Sequence, residues 1–248
     1  MSTIVIRQGD PYANEMLAFI RRHHYSKRVS PVFSVGFALT NARGRIQAVS
    51  VVAEPPYPSI KRALCRRPED HARTAWQSRM IAAGIGSADL DGLLAFSADW
   101  LRRAGYYYFY TMSEREAWVI DGALQRLICP GFSGDTYHRN GWLYLGATAG
   151  RGCQLFMVDN RPVHIRQNNV TLTPGNVWSH YPNAHEIRAV QSRVKDRWLQ
   201  VLADNETERA QRVLLIRYHV QLWTPLIQPR LFIRRAALTP GQTRRVPA

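Results

Sequence analysis

The chain opens with an alternating, β-branched run from Thr3 to Ile6, which predicts a short strand. Pro11 then starts a stretch in which Ala13, Met16, Leu17, Ile20 and His24 recur at helical spacing, so one helix face is apolar. Residues 32–39 and 45–53 are strand-like, and Asn41-Ala42-Arg43-Gly44 between them is turn chemistry, which predicts a hairpin. Prolines and charges over 54–72 suggest a surface loop. Residues 73–82 read as a strand leading into Ala83-Gly84-Ile85-Gly86-Ser87. A helix follows, with Leu90, Leu93, Leu94, Ser97 and Leu101 on one face, Trp100 beside them and Gly105 placed to stop it.

Beyond Gly105 the pattern shortens. Tyr106 to Tyr110 is an aromatic strand, and Arg115 to Leu127 reads as a helix with Trp118, Ile120, Leu124 and Leu127 apolar. Cys129 to Gly134 reads as loop. Trp142 to Leu145 is strand-like, as are residues 154–158 and 162–166 around the turn Asp159-Asn160. Residues 184–203 and 209–223 look helical, the second with a strand as the alternative. Thr239 to Ala248, with prolines, a glycine and Arg244-Arg245, reads as a mobile basic tail. Strands alternating with helices in this order predict an α/β fold, a mixed sheet with helices on both faces. The expected division is 1–172 as the sheet domain, 173–238 as a basic, mostly helical extension, and 239–248 as the tail.

The charge balance adds a functional hint. Among 248 residues, 33 Lys and Arg stand against 18 Asp and Glu, a formal charge of +15. From Arg161 onward fourteen basic residues face five acidic ones, so the excess leans toward the C-terminal third. Such a chain suits a polyanion, with a solvated basic surface as the plain alternative. At 46% hydrophobic residues it fills a real core, which excludes disorder throughout. Cys65, Cys129 and Cys153 are too few and too scattered for a disulfide scaffold. No apolar run is long enough to span a membrane, and the N-terminus lacks a secretory segment, so a cytoplasmic protein is expected.

Gly84-Ile85-Gly86-Ser87 lies between a strand and an amphipathic helix. Glycines permit a tight turn and close approach of a ligand, and free N–H groups at a helix start favour phosphate. Ser87 is the expected N-cap, and Arg79 lies nearby. An ordinary strand-to-helix turn explains the same residues. Asp89 and Asp91 in the first turn favour an empty helix end, and Ile81 stands where a basic residue or Gln is wanted. The order of elements around this turn resembles the GNAT acyltransferase fold. That resemblance implies an acyl-coenzyme A held in a splay between two central parallel strands, its pyrophosphate on residues 84–87.

Three further segments narrow the resemblance. They are His24-Tyr25-Ser26-Lys27, the block from Thr136 to Gly150, and Phe156 to Arg166. Together they resemble the Mom family of phage DNA-modification proteins, over roughly residues 20–170, with Tyr137 to Thr148 the most specific part. The resemblance implies conversion of adenine in duplex DNA to N6-carbamoylmethyl adenine, protection of phage DNA from host restriction, acetyl-coenzyme A or a related acyl-coenzyme A as cofactor, and iron as a further one. The oligomeric state stays open, a homodimer included.

Candidate roles follow. His24 carries an imidazole suited to a base or a metal ligand, and equally to satisfying carbonyls at a helix end. Tyr25 is a proton donor or a stacking ring, or packs under the next loop. The GNAT resemblance implies for Tyr137 the role of a phenol that protonates a leaving thiolate, and the Mom resemblance a role in holding substrate or, with His24, metal; a hydrogen-bonded core tyrosine is the alternative. Ser97 is the polar residue on the apolar helix stripe, facing coenzyme or Tyr137, or satisfied in the core. No carboxylate completes a metal set legibly.

An enzyme that works on adenine N6 takes the base out of the stack, so it needs a basic grip and aromatic surfaces. Lys27 and Arg28 flank the His-Tyr pair, and Arg66 and Arg67 crowd the long loop. His164 and Arg166, two apart, are expected on one side of a strand, the arginine to hold a phosphate. Trp178 and Tyr181 are candidate stacking surfaces, whereas Trp142 is better explained as core. The competing functions are a GNAT acetyltransferase acting on a protein, tRNA or small-molecule amine, and a non-catalytic basic DNA-binding protein on the same scaffold.

Overall fold

The computed structural model describes residues 1–23, 32–55, 58–114, 116–121, 124–130, 134–148, 153–159, 161–164, 166–167, 170–191 and 195–223. The chain order is β1 (Ser2–Ile6), α1 (Pro11–His23), β2 (Val35–Thr40), β3 (Ile46–Ala53), α2 (Ser59–Leu64), β4 (Thr74–Ala82), α3 (Ser87–Arg103) and β5 (Tyr108–Glu114). Then come β6 (Glu116–Asp121), β7 (Leu124–Pro130), α4 (Asp135–Arg139), β8 (Leu143–Ala147), β9 (Cys153–Val158) and β10 (Arg161–His164). The last elements are β11 (Arg166–Gln167), β12 (Val170–Thr171), α5 (Val177–His180), β13 (Ile187–Gln191), β14 (Lys195–Val201) and α6 (Glu206–Leu214).

Seven strands form the main sheet in the order β1-β2-β3-β4-β5-β14-β8. All neighbours run antiparallel except β4 and β5, which are parallel. This mixed sheet with one central parallel pair is the arrangement the resemblance implies. Alternation along the strands divides the core. Val35, Phe37, Leu39, Ala48 and Val52 point to one face, under Leu90, Leu93, Leu94 and Leu101 of α3. Ala38, Val49, Val51 and Ile81 point to the other, under Ala13, Met16 and Ile20 of α1. Leu64 and Cys65 join Tyr108, Tyr110, Leu199 and Ile216 in a further cluster.

Several expectations need correction. Where a helix is expected over 115–127, the described residues 116–121 and 124–127 belong to two antiparallel strands, with Asp121 opposite Leu124. Trp118 and Ile120 are two apart and β-branched Val119 and Ile120 favour strand, so the helical spacing was a coincidence of period. Cys129 and Pro130 belong to β7 rather than to a loop. Residues 184–203 contain β13 and β14, because Trp198, Leu199 and Val201 are buried between two partners. Strand β14 enters the main sheet between β5 and β8, so that sheet draws on both sides of position 172 and the expected division there does not follow it. The described part of the extension is therefore not mostly helical. What lies between β8 and β14 is a separate small layer, β10-β9-β13 with α5, packed on Phe156, Val158, Val163, Leu172 and Val177. Within the expected loop, residues 59–64 are helical and Pro68–His71 is a 3-10 turn. Residues 209–223 hold the end of α6, which Asn205 caps by accepting from the Glu208 amide at 2.9 Å. The tail expected over 239–248 lies outside the described residues.

Two glycines test the packing. Gly134 caps α4 at φ +83°, and a Cβ there would overlap the buried Trp198 ring. Gly36 would place its Cβ against the sulfur of Met16, the end of a flexible side chain. Gly134→Ala is expected to cost about 3 kcal/mol and Gly36→Ala about 1 kcal/mol, read from urea midpoints. Equal costs at the two positions would mean that the Trp198 ring yields as readily as the thioether.

Candidate functional site

The parallel pairing of β4 and β5 is short. It runs only from Thr74 opposite Tyr108 to Gln77 opposite Thr111. Beyond it β4 stays with β3 and β5 stays with β14, so the two strands part. The cause is local. The register of β3 and β4 shifts between Val51, opposite Arg79, and Val52, opposite Gln77. Ser78 is the extra residue, and its hydroxyl donates to the Val51 carbonyl at 3.2 Å. A bulge bends its strand and strengthens its twist, which turns β4 away from β5 at this point.

Buried polar groups gather at the fork. The Tyr137 hydroxyl donates to Gln77 Oε1 at 2.9 Å. Gln77 Nε2 donates to Ser50 Oγ at 2.8 Å, and Thr111 Oγ1 donates to the Gln77 carbonyl at 3.0 Å. One step along β5, Ser113 Oγ accepts from Trp198 Nε1 at 3.0 Å, and Asp196 beside it accepts from the Tyr144 hydroxyl at 2.9 Å. All of these residues are buried. The Tyr137 ring is walled by Trp142 at 4.9 Å and Trp198 at 5.7 Å between centroids. Burial pushes the Tyr137 phenol well above its ordinary range, with Thr111 acting weakly the other way. It is therefore a protonated donor throughout neutral pH.

Helix α4 brings Tyr137 here and is held from outside. Asp91 of α3 accepts from Arg139 at 3.2 Å and from Asn140 Nδ2 at 2.8 Å. Asp91 thus belongs to the α3–α4 contact and not to the helix start. At the far end of β4, Gly84 has φ +70° with open space around it, and the Ala83 amide ties the turn to the Gln47 carbonyl at 2.9 Å. The N-cap of α3 is Gly86, with no side-chain cap bond; Ser87 is already the first helical residue, which corrects the expected cap. Asp89 lies over this start, its Oδ2 3.8 Å from where a Gly86 Cβ would be. Ile85 packs partly against the α3 core, and Arg79, half-buried, donates to the Ser78 carbonyl at 2.5 Å.

The other candidates fall apart from this group. Ser97 is buried, but its hydroxyl donates to the Leu93 carbonyl at 2.7 Å, so the helix backbone engages it rather than Tyr137. His24, Tyr25, Lys27 and Arg28 lie outside the described residues. His164 ends β10, which pairs with β9, whereas Arg166 begins β11, which pairs with β12. The pairing partner thus differs on the two sides of position 165, and the side chains of His164 and Arg166, on which the same-side expectation falls, lie outside what is described. Trp142 is core and Trp178 is half exposed. Arg67 is engaged by Asp70 at 3.3 Å and Glu69 at 3.7 Å, whereas Arg66 donates Nε to the Ile216 carbonyl at 3.1 Å. Among the described residues no three His, Cys, Asp or Glu converge as a metal set. Burial pushes the Cys65 thiol up to about 11, so it serves as packing and not as a nucleophile. No described helix is long and apolar enough to cross a membrane.

The strand sequence Thr-Ala-Trp-Gln-Ser offered the missed signal: Gln77 is an amide at the middle of a predicted strand, two residues from Ala75 on the same face, and an amide buried there must be paired.

No family model and no curated protein matches the chain. Solved structures show loose likenesses. A probable acetyltransferase from Staphylococcus epidermidis overlaps at TM-score 0.46 with 7% identity, over 82% of this chain and 99% of that one. The aminoglycoside 6'-N-acetyltransferase from Enterococcus faecium gives 0.46 and 6%, over 83% and 99%. A GNAT family N-acetyltransferase from Escherichia coli, in complex with coenzyme A, gives 0.33 and 14%, over 46% and 63%.

Tyr108, Tyr110 and Tyr137 all have phenols raised by burial above the value of 10.0 expected of the unfolded chain. Raised phenols hold their protons when the unfolded chain has lost them. Their contribution is complete below pH ~10 and is lost as pH rises above it. The Cys65 thiol, raised from 9.0 to about 11, acts with the same sign at lower pH, so urea midpoints are expected to begin falling near pH ~9 and to fall more steeply above pH ~10. Tyr137→Phe should lower the plateau by about 1–2 kcal/mol, since Gln77 Oε1 is left unpaired, and should flatten the alkaline fall. An unaltered alkaline slope in that variant would place the phenol in contact with water.

Proposed function

We propose that the chain is an acyl-coenzyme A-dependent transferase whose acceptor is the N6 amine of adenine in duplex DNA. The observation that carries the transferase reading is the fork, a parallel pair parted by a bulge, with a buried, protonated phenol aimed at its closed end. The DNA acceptor rests on the Tyr137 to Thr148 block, on its resemblance to the Mom family, and on the formal charge of +15.

The residues present suit a coenzyme A. Gly84 and Gly86 offer open backbone at the start of a 17-residue helix. Seven residue steps, five of them along β4, lead from Gln77 to Gly84, at most about 23 Å, which suits a long pantetheine arm between a thioester and a pyrophosphate. Asp89 is the opposing group there, so the turn favours an anion held mainly by amides. When bound, the coenzyme supplies an activated acyl thioester. Gln77 orients the Tyr137 phenol, which can give a proton to a leaving thiolate. Trp142 and Trp198 exclude water from that hydroxyl. Iron is not carried into this reading, because the Tyr137 hydroxyl meets Gln77 and Thr111 and no described carboxylate or imidazole.

The test is chemical. The protein is expressed in bacteria, plasmid DNA is digested to nucleosides, and mass spectrometry is expected to show a new adenine species with the mass of an N6-acyl product, the acyl group replacing an N6 proton and the coenzyme leaving as its thiol; the carbamoylmethyl mass that the Mom resemblance implies needs a nitrogen donor besides the thioester. Tyr137→Phe should lower its yield by about 10²-fold or more while coenzyme binding by calorimetry is kept. Unmodified DNA together with coenzyme-dependent acylation of a protein, tRNA or small amine would move the acceptor to those classes. Absence of coenzyme binding would remove the transferase reading.

A further inference from the structure

Arginines occupy the end of the sheet where β4 begins, opposite the Gly84 turn. Cys65 bridges Ile216 in antiparallel fashion, and Cys65 Sγ lies 3.3 Å from the hydroxyl of Thr74, the first residue of β4. The bridge is fastened by Arg66 N to Leu215 O at 2.9 Å and Arg217 N to Leu64 O at 2.8 Å. The two arginines beside it are anchored reciprocally. Arg66 Nε donates to the Ile216 carbonyl at 3.1 Å, and Arg217 Nε donates to the Cys65 carbonyl at 2.9 Å, with its Nη2 3.4 Å from the Arg66 carbonyl. Both residues are exposed, and among the described residues neither forms an ion pair with a carboxylate. Arg67, the sequence neighbour, is neutralised by Asp70 and Glu69. Arg73 continues the feature, its guanidinium 4.5 Å from the Tyr107 ring centre and bonded to the Tyr107 hydroxyl at 2.6 Å.

Two guanidinium groups are thus anchored across one bridge without a carboxylate partner, Arg66 through Nε and Arg217 through Nε and Nη2, and their remaining N–H groups are left to meet an anion. Planar, pre-positioned guanidinium donors match the paired oxygens of a phosphate. We propose that Arg66 and Arg217 together grip the phosphodiester backbone of a nucleic-acid duplex, with Arg73 extending the contact along it. The partner class rests on the DNA reading above. The pairing of residues 151 positions apart is independent of it.

The experiment measures binding of a fluorescent 25-base-pair duplex by anisotropy over a salt series. Each phosphate neutralised contributes a slope of about −0.9 in log K against log salt. The double variant Arg66→Gln, Arg217→Gln is expected to make the slope shallower by about 1.8 and to weaken binding by about tenfold or more at low salt. Arg7→Gln with Arg103→Gln removes the same charge elsewhere and is expected to leave the slope unchanged. Arg66→Lys with Arg217→Lys keeps the charge and therefore the slope, but loses the anchored planes, and is expected to weaken binding several-fold, less than the Gln pair does. Circular dichroism and urea midpoints establish that each variant is folded. Should the Gln pair not fold, the Lys pair decides: wild-type affinity there would overturn the proposal. Wild-type binding with an unchanged slope in the Gln pair overturns the Arg66–Arg217 grip and leaves the DNA reading standing. A wild-type protein that does not bind the duplex overturns both.

Discussion

A carboxamide and a phenol buried together cannot both go unpaired, because no water reaches them and an unpaired polar group in the core costs about 1–3 kcal/mol. Gln77 and Tyr137 are such a couple, and much of the local architecture follows from keeping them together. The amide is turned by its second bond, to Ser50, so that its oxygen faces α4. Helix α4 then has one docking depth at which the phenol reaches that oxygen. Asp91 fixes that depth from the outside through Arg139 and Asn140. Gly134 permits the close approach of the α4 cap to Trp198, which packs on the same phenol ring. The short helix of five residues is thus held by packing and by polar pairing, not by its own propensity.

The fork and this pair depend on each other. Had β4 and β5 remained paired beyond Gln77, the ladder would have closed over the place where the phenol points. The bulge at Ser78 prevents that at the cost of one unpaired position, and the Ser78 hydroxyl recovers a bond from it. Strand β5, released from β4, remains covered on its other edge by β14, so the opening does not leave β5 as a bare strand.

Much of this architecture was legible before any coordinates. The β1–α1–hairpin beginning, the strand into Gly84-Ile85-Gly86 and the amphipathic helix after it follow from period and turn chemistry. The failures share a cause. Residues 116–130 and 187–201 carry apolar residues at mixed spacings, because a hairpin or a strand buried on both faces does not alternate cleanly, and helical matches then arise by chance. The position of β14 between β5 and β8 is a long-range pairing that no local pattern encodes. Tyr137 stood out through its motif, but its partner Gln77 did not, since an isolated amide in a strand shows only that a partner must exist. Ser97 misled for the complementary reason: a polar residue on an apolar helix stripe had its own helix carbonyl available.

The two ends of β4 differ in the kind of anion they suit. At the Gly84 end the positive pole of α3 is partly offset by Asp89, and recognition falls to backbone amides in a short, open turn. That suits a compact, single group reached from inside the fork. At the Thr74 end, whole guanidinium groups face outward, and several of the chain's other arginines are already quenched, Arg102 by Asp99 and Asp204, Arg139 by Asp91, Arg212 by Glu208. What stays unquenched at Arg66, Arg73 and Arg217 lies on an open surface, and it suits an extended polymer rather than a small ligand. Gln77 is three residues from Thr74, about 10 Å of strand, so a polymer held there passes close to the closed end of the fork and away from the turn. On the proposed reading, therefore, a nucleotide-bearing donor at one end and a polyanionic acceptor at the other need not compete.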